Sequence, residues 1–231
     1  MNIYIFGHSI VRFRSPTQDV PQFTDILSKK YNIPRTNIIQ ADCISQERIL
    51  FFLKKLKNVD LVIIFYGPSD SVFVPVVDRD FAPITDPNLW EEKLSTMDYY
   101  KNRLRDNITN NQLEHITQDE IKLGYNSYIN FFHTRDTTIN RNAGALIQID
   151  QYLGYKNIPA IHCPLPTTMP VWFKFTNGIV DTELGNSQNG QYGCSIDRSS
   201  NRVNSIGNRH IADKLSSYID ELVRRSGIEP L

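Results

Sequence analysis

The run "VDLVIIFYG" at 59–67 constrains the fold more than any other stretch. It is apolar and β-branched without interruption from Leu61 to Phe65. A half-exposed strand would alternate polar and apolar residues. An unbroken run fits a strand covered on both faces, as at the centre of a parallel sheet. Gly67 and Pro68 then stop it. Parallel neighbours need crossover connections, so the remaining chain must supply helices between further strands.

It supplies them in order. Residues 2–6 read as a first strand, and 25–30 as part of a first helix after the Pro16–Pro21 stretch. "NIIQAD" is a short second strand. In "SQERILFFLKKLKN", Ser45 is a candidate N-cap, and Ile49, Leu50, Leu53 and Leu56 follow helical spacing. A helix over 139–153 precedes "IPAIHCPLP", a strand ending in a proline-rich loop. A final helix over 204–225 carries Ile211, Leu215, Ile219 and Leu222 on one face. This alternation predicts one α/β domain over 1–231, doubly wound around a parallel sheet. About 65 residues, 71–136, separate the central strand from the next αβ unit, more than a connection needs. Pro75, Pro83 and Pro87 fall in a loop there, 89–104 reads as a helix, and "TQDE" at 117–120 opens another. The segment is expected to be a mostly helical insertion.

Composition excludes more than it assigns. Of 231 residues, 25 are basic and 25 acidic, so no net field draws the chain to nucleic acid or an anionic membrane. No basic cluster with interleaved aromatics points to nucleic acid, and no segment reaches the roughly 18 apolar residues of a membrane span. The chain opens on a strand, without a basic n-region or cleavage site, which predicts a soluble, cytoplasmic protein. Cys43, Cys163 and Cys194 are odd in number and lack metal-ligand spacing, in keeping with a reducing compartment. The five histidines are scattered, so neither a metal nor another cofactor is expected.

Doubly wound sheets place their sites at the carboxyl ends of the strands. Three strand ends carry polar residues: "GHS" at 7–9, "GPSD" at 67–70 and "HCPLP" from His162. The last helix begins near them with "RVNSIGNRHIAD". In their order and spacing these blocks resemble the SGNH, or GDSL-type, hydrolases. "IYIFGHSIV" is similar to that family's first block, "DLVIIFYGPSD" to its third, and "VNSIGNRHIADKL" to the helix after its catalytic histidine. The likeness covers roughly 1–70 and 140–225. It implies a three-layer α/β/α, flavodoxin-like frame and a serine esterase acting on acyl or acetyl esters. Ser9 would be the nucleophile, with Gly7, His8, Gly67, Ser69 and Asp70 lining the oxyanion side.

The sequence departs from that pattern where the chemistry lies. His8 replaces the family's Asp and Ser69 its Asn; the second-block glycine would fall near Ser45 or Gln46. Arg202 stands where the catalytic histidine belongs, and Ser199 at the Asp position. A serine hydroxyl needs a base to take its proton, and a guanidinium stays protonated. His162 and His210 are the candidate replacements; His115 and His133 lie in the insertion. Each residue also has a structural reading: Ser9 as a helix cap, Asp70 as a turn residue, Cys163 as a small buried hydrophobe, His210 as a helix flank. Aromatic-rich "VWFKF" at 171–175 lines a pocket, forms a contact patch, or is core under a loop. Two expectations stay open: a serine ester hydrolase with an unconventional base, and a non-catalytic member of the same fold. The second would bind a ligand, or serve as a structural or assembly component, with a protein partner through 71–136.

Overall fold

The computed structural model describes residues 1–7, 11, 21–40, 45–67, 72–74, 79–81, 135–165, 169–185, 196–197 and 202–227. The helices expected over 89–104 and from 117 lie outside the described residues.

Five parallel strands form the central sheet. They are β1 (Ile3–Gly7), β2 (Ile38–Gln40), β3 (Leu61–Phe65), β6 (Ala160–Cys163) and β7 (Ile179–Val180), in the order β2-β1-β3-β6-β7. Ile5 of β1 registers with Ile38 on one side and Ile63 on the other; Ile63 in turn registers with Ile161. β3 is buried at all five positions, as its unbroken apolar run requires. β7 had no sequence signal. Two residues are too few for a periodicity, and Gly178 sets them in place. Its φ of 89° is left-handed, and a Cβ there would run into the Ala160 carbonyl.

Helices cover both faces of the sheet. Ile3, Ile5, Leu61, Ile63, Phe65, Ile161 and Cys163 pack in one buried cluster with α1 (Phe23–Tyr31) and the C-terminal helix (Ser205–Ser226). Phe6, Val62, Ile64, Tyr66 and Ala160 pack in a second cluster with α2 (Gln46–Leu53) and α3 (Arg135–Tyr155). Alternate residues of each strand thus feed opposite clusters, the period-two consequence of the pleat. A one-turn helix, α4 (Thr182–Gly185), precedes the C-terminal helix, which is α5.

Helix boundaries follow local chemistry. Ser45 caps α2 by accepting from the Arg48 N–H at 3.2 Å, as its position predicts. α2 stops at Leu53, short of the expected Leu56, and Asn58 turns the chain at a φ of 54°. Asn32 closes α1 in the same left-handed region at 53°, and Asn157 follows α3 at 52°. Asparagine tolerates that region because its short amide bonds locally. α5 opens on Asn204, whose Oδ1 accepts from the Gly207 N–H, and closes on Gly227.

Within the expected insertion, the described residues include a structure that was not anticipated. Val72–Val74 (β4) and Arg79–Phe81 (β5) pair antiparallel, whereas Pro75, Pro83 and Pro87 of the expected loop lie outside the described residues. A second antiparallel pair, Ile196–Asp197 (β8) with Arg202–Val203 (β9), leads into α5. No helix among the described residues is long and apolar enough to cross a membrane.

Candidate functional site

β1 and β3 are adjacent in the sheet although β2 lies between them in sequence. The chain leaves β1 towards one edge of the sheet and leaves β3 towards the other. In doubly wound sheets, ligands bind beyond the carboxyl ends of strands that diverge in this way. Gly7 ends β1 there, and Gly67 follows the end of β3 two residues on. His8, Ser9, Ser69 and Asp70, which follow these glycines in sequence, lie outside the described residues.

Both glycines are buried, and the structure gives each a task. A Cβ on Gly7 would overlap the Val11 side chain and stand 2.9 Å from Phe65 Cβ. The end of β1 is therefore packed between β3 and Val11 with no room for a methyl. The Gly67 carbonyl accepts from Gln46 Nε2 at 3.2 Å. Gln46, in the first turn of α2, thus reaches from behind β2 to the end of β3. It is wholly buried. Among the described residues, its Oε1 has no hydrogen-bond partner.

His162, near the end of β6, is built into the packing and is not presented as a base. Its Nε2 stands 2.9 Å from the Asn177 carbonyl, which can only accept, so the ring hydrogen lies on Nε2. Nδ1 then accepts from the Tyr66 hydroxyl at 2.8 Å. The ring stacks on Phe175 at a centroid distance of 3.9 Å. Burial holds the imidazole down at about 4, outweighing the Asn177 carbonyl and the Asp150 carboxylate, which favour the charged form. With both nitrogens engaged inside the core, the base role considered for His162 is corrected to a structural one. Asn177 is itself fixed by Asp150, which accepts from the Thr176 and Asn177 N–H groups at 3.1–3.2 Å and from the Thr176 hydroxyl at 2.6 Å.

His210 lies in the second turn of α5 on its exposed flank. The neighbouring Gly207, Asn208, Ile211 and Ala212 form the buried face, so the imidazole projects from the side of the helix that does not face the sheet. Arg202 pairs in the β8–β9 ribbon opposite Asp197, two residues before the α5 cap. Cys163 is buried, and burial pushes its thiol well above the ordinary range, as befits an inert core sulfur. In "VWFKF", Phe173 and Phe175 pack against the second cluster while Val171 and Trp172 are exposed.

A further polar cluster holds β7 to α5. Asp181 Oδ1 accepts from the Leu184 N–H at 2.8 Å; Oδ2 accepts from the Tyr218 hydroxyl and the Lys214 ammonium, each at 2.7 Å. Burial works to raise the Asp181 carboxyl, and those three donors together outweigh it and hold it below the usual value. Sequence reading found neither this cluster nor the Tyr66–His162–Asn177 chain, because their members are scattered from 66 to 218. Among the described residues, no three His, Cys, Asp or Glu side chains gather as a metal site would need.

Comparison with protein-family models, with curated proteins and with solved structures finds no match.

Proposed function

We propose that the chain is an SGNH-type, three-layer α/β/α domain that hydrolyses small acyl or acetyl esters in the crevice beyond β1 and β3, with Ser9 as nucleophile. One observation carries the reading. The strand order β2-β1-β3-β6-β7 agrees with a flavodoxin-like sheet, and it brings Gly7 and Gly67 to neighbouring strand ends at the divergence point; His8-Ser9 and Pro68-Ser69-Asp70 follow them in sequence. Helices on both faces of the sheet support the three-layer frame.

In this reading Ser9 Oγ attacks the acyl carbonyl carbon while a base takes its proton. The alcohol leaves with that proton, and water then cleaves the acyl-enzyme. N–H groups near Gly7 and Gly67, with the Ser69 hydroxyl, would stabilise the oxyanion; loss of one such donor typically costs about 100- to 1000-fold. His162 is committed to the core and His210 to the outer flank of α5, which leaves His8, His115 and His133 for the base.

A second reading has its own support. With His162 sealed and an arginine at position 202, the crevice serves equally a non-catalytic domain that binds an acylated ligand, or a protein partner through residues 71–136.

Labelling with a fluorophosphonate probe, alongside turnover of p-nitrophenyl acetate, separates the two. Labelling and turnover that both vanish in Ser9→Ala establish the hydrolase. A folded wild type that neither labels nor turns over establishes the binding domain.

A further inference from the structure

The chain turns between β6 and β7 on unusual residues. The Phe173 N–H donates to the Pro170 carbonyl at 2.9 Å, which closes a four-residue turn with Val171 and Trp172 at its two central positions. Turn centres are ordinarily Gly, Asn, Asp or Ser. Here Val171 is 100 % exposed and Trp172 65 % exposed. The turn is mounted on the core. Trp172 meets Phe173 edge-on at a centroid distance of 6.2 Å, Phe173 meets Phe175 in the same way at 4.9 Å, and Phe175 stacks on His162. Beyond Phe175, the Thr176 and Asn177 N–H groups donate to Asp150 of α3. Two apolar side chains are thus held out to solvent at a fixed place, where they contribute little to folding.

Phe52, Tyr152, Phe173 and Phe175 all pack against the second cluster, so α2, α3 and the turn lie on one side of the sheet. That side also carries exposed lysines: Lys54, Lys55 and Lys57 just beyond α2, Lys156 just beyond α3, and Lys174 beside the turn. None of the five pairs with a carboxylate among the described residues. Lys55 instead lies over the Phe51 ring, its Nζ 3.6 Å from the centroid, and Lys156 over Tyr155, which is 81 % exposed. Glu47 is spent on Arg141, and Asp150 on Thr176 and Asn177. On the other side of the sheet, Lys30, Lys214 and Arg225 pair with Asp220, Asp181 and Glu221. The zero net charge of the chain therefore conceals, among the described residues, a one-sided set of unpaired lysines. It is assembled from segments far apart in sequence, 54–57, 156 and 174.

We propose that this side of the molecule docks on an anionic lipid bilayer, with Val171 and Trp172 entering the headgroup region and the lysines facing the lipid phosphates and carboxylates. Tryptophan, tyrosine and lysine suit such an interface because each joins an apolar body to a polar end. Both signals are needed. Two apolar side chains alone partition weakly, and each lysine near an anionic leaflet adds attraction. Val171 argues against a nucleic acid as the partner, because an aliphatic side chain at a turn tip has no π face on which a base can stack. The inference does not depend on the hydrolase reading, and Ser9→Ala should dock as wild type does.

The test is co-sedimentation of the full chain with vesicles of phosphatidylcholine alone, or of phosphatidylcholine mixed with phosphatidylserine. Wild type should bind the mixed vesicles about tenfold or more tightly than the neutral ones, and high salt should weaken that preference. Lys54→Gln with Lys55→Gln should weaken binding by about fivefold for each lysine removed. Val171→Ser with Trp172→Ser should weaken it by about tenfold. All four side chains are exposed, so these variants should fold as wild type does. Fluorescence supplies a second readout. The chain has two tryptophans, and in a Trp90→Phe background the emission of Trp172 should shift to the blue with the mixed vesicles only. No binding to either vesicle, equal binding to both, or binding unchanged in either double variant would overturn the proposal. Tighter binding to an oligothymidylate than to the mixed vesicles would overturn it in favour of a single-stranded nucleic acid.

Discussion

At the scale of single residues, two side-chain environments make sharp predictions. Gly7 has no room for a methyl between Val11 and Phe65. Gly7→Ala should therefore destabilise by about 1–3 kcal/mol, as overpacking of a tight core does, read from chemical denaturation. His162 is held neutral by burial, at about 4, against an unfolded value near 6.5. A depressed histidine binds fewer protons folded than unfolded over that interval. Stability is therefore full above about pH 6.5 and falls as pH drops towards 4, by on the order of 3 kcal/mol. Asp181, also depressed, adds a loss of the same sign at lower pH, as its carboxylate is protonated and its bonds to Lys214, Leu184 and Tyr218 weaken. The two are separable, because His162→Gln should flatten the Tm profile between pH 6.5 and 4 while leaving the more acidic limb. A profile in His162→Gln that still falls over that interval would show that another group titrates there.

At the scale of elements, the helices are held by unequal polar contacts. Ser45 contributes one capping bond to α2, so Ser45→Ala should cost about 1 kcal/mol. Asn208 does more. Its Oδ1 accepts from the Phe23 N–H at 2.9 Å, and its Nδ2 donates to the Val203 and Asn204 carbonyls at 2.8 and 3.1 Å. One buried side chain thus ties the start of α1 to the ribbon and the start of α5. Asn208→Ala strands a buried N–H and a carbonyl at once, and should cost about 2–4 kcal/mol, clearly more than Ser45→Ala. Equal losses in the two variants, measured by urea unfolding, would mean that water satisfies the groups that Asn208 leaves behind.

At the scale of the whole molecule, the sheet orders local stability. β3 is flanked by β1 and β6 and covered on both faces, whereas β7 has two residues and, among the described residues, a single neighbour. In hydrogen exchange, the amides of Leu61–Phe65 should open only with global unfolding. Those of Ile179–Val180 should exchange sooner, through local opening at the edge. Acidification to pH 4 should narrow that gap, because the Asp181 N–H to the His162 carbonyl and the His162 ring itself both join β6 to the segment around β7.

The sequence by itself determined the parallel α/β architecture. An apolar run as long and unbroken as 61–65 is stable only when covered on both faces, and the helical spacing of 46–53 and 205–226 provides that cover. It also marked Gly7 and Gly67 as the points where two of the strands stop. Tertiary structure alone decided what the individual polar residues do there. The isolated text of "AIHC" does not say that Tyr66 and Asn177, 96 and 15 residues away, will occupy both nitrogens of His162. Nor does "SQER" say that Gln46 will reach the residue just beyond the end of β3. Periodicity records how each element meets the core, because burial is a property of spacing within one segment. Hydrogen-bond partnership joins residues distant in the chain, and it exists only once the sheet order has brought their elements together.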